Sequence, residues 1–600
     1  MLTTYDYAVV ALYFVLLLGL GWLFRRFSHD SSEYFRGGGE MAWWLVGASA
    51  FMASFSAWTF TGAAGLAYEF GIVVLVMYFA NTLAFFLNAL WLAAPCRQMR
   101  VVVVMEAVRA RLGRVNEQFF TWMTLPLQVV GSAITLYGLA IFCAPAFGFD
   151  LRVTILVAGM VVLLVSTVGG SWAVATSDFL QALMLIGITL VVFVSSLFAV
   201  GGPSRLLAKL PPSHFDITAS HAAGMGVLWV IATVLERVAA QNTLLGATRY
   251  LSARTGREAR KAAVLAGVLF GLGSLIWFVP PLVARALDLD MAAMLPGLVK
   301  PAEGAYVAMA HRCLPAGLLG LMVTGMISAT MSSMDHGLNR NSGIFVRSFY
   351  RPILRPRAGE RELVMAGRSS TIIFGLLIIL LALLYSTWKD VGVLKLMLNA
   401  SVMLGIPAVI PMIWCLLTRR APDWAAWSTV LICLGISALF GLLPSLAPLR
   451  TLAASLGWGA ALDGLRENSY AVIALTSSLV GSAWYLGCGR VSGSKVSAQR
   501  AEEIAHFFHD MERPLGVDEI SDPSVISAQS LRIGRMALLW GGLMYLLLLV
   551  PNPLWGRVAV AFCASFVAGV GLLLVLSARR SRLSRMPVPA HDVPSVAETP

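Results

Sequence analysis

Residues 47–71 read GASAFMASFSAWTFTGAAGLAYEFG, and this stretch decides the fold. Small residues alternate with aromatics, with no long run of Leu or Val. It lies in an apolar block at 42–70, longer than the roughly 20 residues that cross a bilayer core as a helix. Two readings are open. Small residues let backbones approach, so the block can be a tightly packed interface helix. Alternatively the helix is discontinuous, unwound near Ala53 to Thr59, and its freed carbonyls line an ion or solute site. Composition alone leaves the two even.

The surroundings are built the same way. Of 600 residues, 58% are hydrophobic and 12% charged, against about 25% charged in soluble domains. Apolar blocks recur at roughly 5–25, 42–70, 72–96, 117–147, 151–169, 172–200, 222–247, 262–287, 315–339, 369–388, 393–417, 424–446, 470–488, 534–551 and 556–578. The class is an all-α polytopic membrane protein with about 15 transmembrane helices. A membrane barrel would instead show alternating segments of about 10 residues. With the N-terminus outside and the C-terminus inside, the inside loops collect most of the 44 Lys and Arg residues, as the positive-inside rule requires. The net charge of +13 therefore reports topology, and no nucleic-acid partner is expected. The seven cysteines are scattered without a metal or redox spacing. The first block has no basic residue before it and no small-residue cleavage site, so it reads as a retained helix.

Two outside segments are longer than the rest, 201–221 and 447–469. The longest inside segment, 489–533, contains AEEIAHFFHDMERPLGVDEI, polar with a weak helical pattern ended by Pro514. It is too short for a core of its own and reads as a cytoplasmic cap or a segment that docks a protein partner. The tail from Ser581 to Pro600 is rich in Pro, Ser and Arg and is expected to be disordered. The strong preference for Arg over Lys suggests a bacterial source, and hence an inner-membrane location.

Residues 321–350 read LMVTGMISATMSSMDHGLNRNSGIFVRSFY. Ala329, Ser332 and Ser333 stand at i, i+3 and i+4 and share one helix face, so a carbonyl and two hydroxyls can converge on a hard cation. The plainer account is that both serines back-bond to the preceding turn. Asp178, near the inner end of the sixth block, is either a functional intramembrane carboxylate or a helix-start residue favoured by the dipole. On the seventh block, Glu236 and Arg237 precede Gln241 and Asn242. They form a mutually neutralised pair, or Arg237 anchors a solute carboxylate in bidentate fashion. No P-loop, metal cluster or catalytic triad is present, so no enzyme activity is expected.

Four motifs occur in order: GAS at 47–49, GGSWAVATSDFLQ at 169–181, RYLSARTGREARKA at 249–262, and LPAGLLGL, ATMSS and LNRNS at 314–321, 329–333 and 338–342. Together they resemble the sodium:solute symporter family over roughly residues 5–489, with Ser177 where the family pattern has Thr. The resemblance implies a LeuT-type core of two five-helix inverted repeats, at 42–200 and 201–417. Before them come a first helix and inner loop at 1–41. After them come two further helices within 418–488, the segment 489–533, two C-terminal helices at 534–578 and the tail 579–600. It implies a sodium site made by the carbonyls of Met52, Phe55 and Ala329 and the hydroxyls of Ser332 and Ser333. Asp178 would lie on the ion's inward exit, with Gln181 in its network. Ser54, Ser56, Trp58 and Thr59 would face the solute. Tyr78 and Asn81 match positions that bind solute in the family's sugar carriers, and Trp58 matches an aromatic of its proline carriers. Arg237, Gln241 and Asn242 complete the expected solute set.

The seventh block departs from the family: Thr243 and Leu244 replace an Asn-Gln pair, and Thr248 precedes Arg249. No known carrier's solute can be transferred. The expected activity is sodium-coupled symport of a small organic solute, an amino acid or organic acid ahead of a sugar. The rivals are a solute sensor with a cytoplasmic partner at 489–533, and proton coupling through Asp178.

Overall fold

The computed structural model describes residues 3–24, 30–217, 226–294, 300–387, 401–492, 497–520 and 522–583. The chain is a multi-span helical membrane protein. Among the described residues ten helices are long and apolar enough to cross a membrane by themselves, and Trp43–Ala53, Leu151–Thr167 and Met403–Leu417 are shorter apolar helices. Among the described residues the one β pairing is an isolated bridge between Met41 and Ala253.

The principal helices, in chain order, are α1 (Thr4–Phe24), α2 (Trp43–Ala53), α3 (Gly62–Phe70), α4 (Val74–Leu87), α5 (Val104–Phe147), α6 (Leu151–Val200), α7 (Val227–Gln241) and α8 (Gly256–Trp277). They continue as α9 (Leu318–Ile344), α10 (Glu360–Tyr385), α11 (Ile406–Leu417), α12 (Trp424–Ser437), α13 (Ser469–Ser492), α14 (Ala498–Glu512), α15 (Ser524–Met544) and α16 (Leu554–Leu583). Past Leu87, α4 runs on through a π-turn to Gln98. α6 bends at Gly170, whose φ of 60° lies in the left-handed region that glycine enters freely. The expected blocks 151–169 and 172–200 are its two arms.

Packing sorts the core into two sets. In the first, α8 lies along α2 and α4, and α7 along α4. In the second, α9 and α10 both lie on α5 and α6. α1 packs against α6 and α9, and its buried Asp6 reaches the start of α9. Asp6 Oδ1 accepts from the Gly317 and Gly320 amides at 2.9 and 2.6 Å. Unsatisfied amides at a helix start attract a carboxylate, so Asp6 caps α9 from another helix. The hairpin of α15 and α16 closes on small residues. A Cβ on Gly534 would stand 2.8 Å from the Gly571 carbonyl. That close approach is how helices associate in lipid.

Several boundaries differ from the sequence expectation. α10 starts at Glu360, nine residues before the expected block, because a polar first turn precedes its apolar run. Segment 447–469, expected as loop, holds two short helices, Ala447–Ser455 and Gly459–Glu467. α16 continues to Leu583, so the helix enters the expected tail, and residues 584–600 lie outside the described residues. So does 388–400, the start of the expected 393–417 block.

Within 489–533, α14 ends just before Arg513 and Pro514. Its Ile504, Phe507, Phe508 and Met511 are buried. It packs on Ala93–Gln98, at the end of α4, and on α5. Arg100 binds Glu519 through Nε at 2.5 Å and Nη2 at 2.9 Å. Arg500 bonds Asp423 at 3.0 Å. The Arg100 guanidinium holds the Glu519 carboxyl down at about 2.

Candidate functional site

α2 stops at Ala53 because its next donors find partners elsewhere. Phe55 N bonds the Met52 carbonyl at 3.1 Å. Ser56 is extended, with φ −154° and ψ 172°. Ala57 N, which an unbroken helix would give to the Ala53 carbonyl, donates to Thr330 Oγ1 on α9 at 3.1 Å. From the other side, Gln241 Nε2 at the end of α7 donates to Ser54 Oγ at 3.0 Å. A turn of 3-10 helix, Ala57–Phe60, leads back into α3. Broken backbone of this kind is tolerated at membrane depth where it is covered by protein or lines a cavity.

α9 faces the break as an uninterrupted helix, so Ala329, Ser332 and Ser333 share a face. Ser333 Oγ donates to the Thr330 carbonyl at 2.9 Å, the back-bond expected of a membrane serine. Ser332 Oγ is buried beside Asp178 and has no hydrogen bond of good geometry. Ser333 also lines a cavity of about 410 Å³ together with Ala50, Ala53, Ser54, Asn81 and Arg237. An adjoining cavity of about 360 Å³ touches Ser54, Phe55, Ser56 and Ser333. The side chains of Met52 and Phe55 are buried.

Asp178 on α6 is fully buried. Its Oδ2 accepts from Ser49 Oγ at 2.6 Å and lies 2.9 Å from His336 Nε2. Ser49 belongs to α2 and His336 to α9, so one carboxylate ties both to α6. Gln181 does not join this network, contrary to the sequence reading. It donates to Tyr13 of α1 at 2.9 Å, and Tyr13 in turn meets Ser328 at 2.6 Å. The reason is tertiary: α1 packs against α6 and brings the Tyr13 hydroxyl to the Gln181 amide.

The expected solute residues divide. Ser54, Asn81, Arg237 and Gln241 line the larger cavity, and Ser56 the adjoining one. Trp58, Thr59 and Tyr78 line neither. Tyr78 donates to Thr59 Oγ1 at 2.8 Å, and its ring lies parallel to that of Trp58 at 6.5 Å. They adjoin a buried aromatic layer of Phe51, Phe55, Phe60, Phe270, Trp277 and Tyr306. Asn242 is taken up by Trp91 Nε1 at 2.8 Å and by the Ala84 and Val238 carbonyls. Glu236 Oε2 stands 3.2 Å from Arg237 Nε.

Sequence reasoning passed over Ser49, His336, Arg249, Arg340 and Gln128, all of which border this region. A signal existed for His336 and Arg340. Ionisable residues inside an apolar helix are functional hypotheses by default.

A polytopic helical chain with a broken helix facing a polar cavity has the architecture of a secondary transporter. Residues 34–432 match the sodium:solute symporter family, and the chain belongs to it. This is a family of transporters and not of enzymes. The chain is 30% identical to the sodium/myo-inositol cotransporter of Bos taurus over 411 residues, covering 61% of this chain and 57% of that one. It is 26% identical to the sodium/glucose cotransporter 2 of Rattus norvegicus over 405 residues, covering 60% of each. The matches thus span less than two thirds of these relatives. The fold is shared with a solved Na+-coupled sialic acid symporter in a substrate-bound outward-open state. The TM-score is 0.65 at 18% identity, over 82% of this chain and 98% of that one.

Proposed function

We propose that the protein is a sodium-coupled symporter that carries a small organic solute by alternating access, with fifteen helices crossing a bacterial inner membrane. The observation that carries this reading is the pairing of the α2 break with the Ala329, Ser332 and Ser333 face of α9 beside a polar cavity. Oxygen donors from backbone and hydroxyls suit a hard cation. In this reading the carbonyls of Met52, Phe55 and Ala329 and the hydroxyls of Ser332 and Ser333 hold sodium. The inverted repeats are 42–200 and 201–417, and the end that carries α14 is cytoplasmic, as the basic loops require. The cavity's lining includes Arg249 and Ser252 near that end, while the aromatic layer stands across the break. This arrangement corresponds to an inward-facing state.

Sodium binds first and orders the break, the solute follows, the two helix sets rock, and sodium leaves past Asp178. Each ligand shifts the balance only by its differential affinity for the two states, and sodium–solute coupling in binding is reciprocal. A cytoplasmic protein partner on α14 is not needed, since the apolar face of that helix packs on the protein itself.

The test is the melting temperature of the purified protein in sodium against matched potassium or choline. Saturation at a hundredfold excess over Kd stabilises by about 2.7 kcal/mol. A sodium-specific rise that disappears in the Ser332→Ala, Ser333→Ala double variant is expected, together with loss of sodium-driven uptake. Unchanged sodium-dependent uptake in that variant overturns the site.

A further inference from the structure

Arg237 is the arginine that the sequence singles out as a carboxylate anchor, but it already has Glu236 3.2 Å away. Two other guanidiniums open on the same cavity of about 410 Å³: Arg340 on α9, and Arg249 in the turn Thr248–Ser252. Arg340 bonds the Gln128 side chain and the Leu245 carbonyl, at 3.4 Å in the latter case, and both acceptors are neutral. Arg249 lies within electrostatic reach of Arg340, Asp178 and Asp335. Neither arginine forms an ion pair with a carboxylate among the described residues. Among the described residues no Asp or Glu belongs to the cavity wall.

The acids of this region stand behind the wall and are engaged there. Asp178 is held by Ser49 and His336, and Asp335 receives Ser166 Oγ. The lumen therefore presents positive groups, with Asn339, Ser252 and His336 beside them as neutral or additional donors. An enclosed guanidinium without a counter-charge is costly, and a ligand that supplies the charge gains a charge-assisted, fork-shaped pairing.

We infer that the transported solute is a small organic anion whose carboxylate is received by Arg340 and Arg249, with Arg237 neutralised by Glu236 and left to shape the cavity. The inference deepens the symport reading and rests on it. An uncharged polyol would give Arg340 no anionic partner and leave Arg249 with Asp178 and Asp335 at longer range only. A carboxylate supplies the charge that both lack at close range, and its remaining hydroxyl or keto groups have Ser54, Asn81 and Gln241 as partners in the same cavity.

The experiment titrates the full-length protein, in sodium and at constant ionic strength, with lactate, pyruvate, succinate, malate, myo-inositol and glucose. The readout is the melting temperature. At least one carboxylate raises it beyond sodium alone, and the two polyols do not. Arg340→Gln raises the carboxylate concentration needed about tenfold or more, and Arg340→Lys recovers part of the loss. The sodium-only rise serves as the folding control for each variant. Should Arg340→Gln lose that rise, Arg249→Gln is read in its place by the same criterion. Stabilisation by polyols alone, by none of the carboxylates, or an unchanged concentration in the Gln variants overturns the inference. A sodium rise without carboxylate binding sinks the anion and leaves the symport reading standing. Carboxylate binding with no sodium rise does the reverse.

Discussion

α2 and α9 face each other across the proposed ion site and contribute in opposite ways. α2 is interrupted, and what it offers is backbone: the Ala53 carbonyl loses its helical donor when Ala57 N turns to Thr330. α9 is continuous from Leu318 to Ile344, so its carbonyls already accept helical bonds; in the proposed site it offers the second lone pair of the Ala329 carbonyl and the hydroxyls of Ser332 and Ser333. Helical hydrogen bonding decides which part of a residue is available. In the proposed site the identity of a side chain therefore matters little on the broken helix and decides the hydroxyl ligands on the intact one.

The largest expected effect comes from removing what anchors both helices. Asp178→Ala leaves Ser49 of α2 and His336 of α9 without their shared acceptor. Each buried donor left unsatisfied costs about 1–3 kcal/mol, and two are left here, read as a lowered melting temperature in detergent. A variant that melts with the parent would mean that α6 does not hold the two helices together. Next is Thr330→Val, which keeps the shape and removes the acceptor of Ala57 N. A buried donor left unsatisfied costs about 1–3 kcal/mol, and the break loosens, so sodium affinity falls as well. Unaltered affinity would detach the geometry of the break from α9.

Met52→Leu is close to volume-conserving and should cost less than about 1.5 kcal/mol, with the sodium-induced rise in melting temperature intact. Ser332→Ala, of smaller volume change, should reduce that rise. The reverse pattern would contradict the division between backbone and side-chain donors.

The smallest effect is expected far from the break, at α14. Arg100 lowers the Glu519 carboxyl from 4.5 to about 2. A folded value below the unfolded one gives a contribution that is complete above the unfolded value and fades as pH falls toward 2. The hydrogen-exchange protection of α14, corrected for the intrinsic pH dependence of amide exchange, should therefore be flat between pH 5 and 8, and fall with salt because the pair is exposed. A loss of protection on mild acidification would assign the attachment to a different group.

Much of this was legible in the linear chain. The apolar blocks announced the helices, since length and hydropathy follow from the bilayer itself. The stretch 53–59 was legible as a break only together with the motifs around it, because small residues and Ser suit a packed interface helix equally well. Ala329, Ser332 and Ser333 were legible because helical periodicity puts i, i+3 and i+4 on one face. Asp6 capping α9, and Tyr13 claiming Gln181, were not legible. Both join positions more than a hundred residues apart, and only packing brings them together.

The sequence by itself determined the class of protein and its helices, because these depend on local composition and on backbone hydrogen bonding that water-free lipid makes obligatory. The tertiary structure alone decided which charges are neutralised. Glu236 pairs Arg237, while Arg249 and Arg340 open on the cavity without an ion pair among the described residues. Charge pairing acts across space at a few ångströms, and proximity between distant helices is not written in the order of residues along the chain.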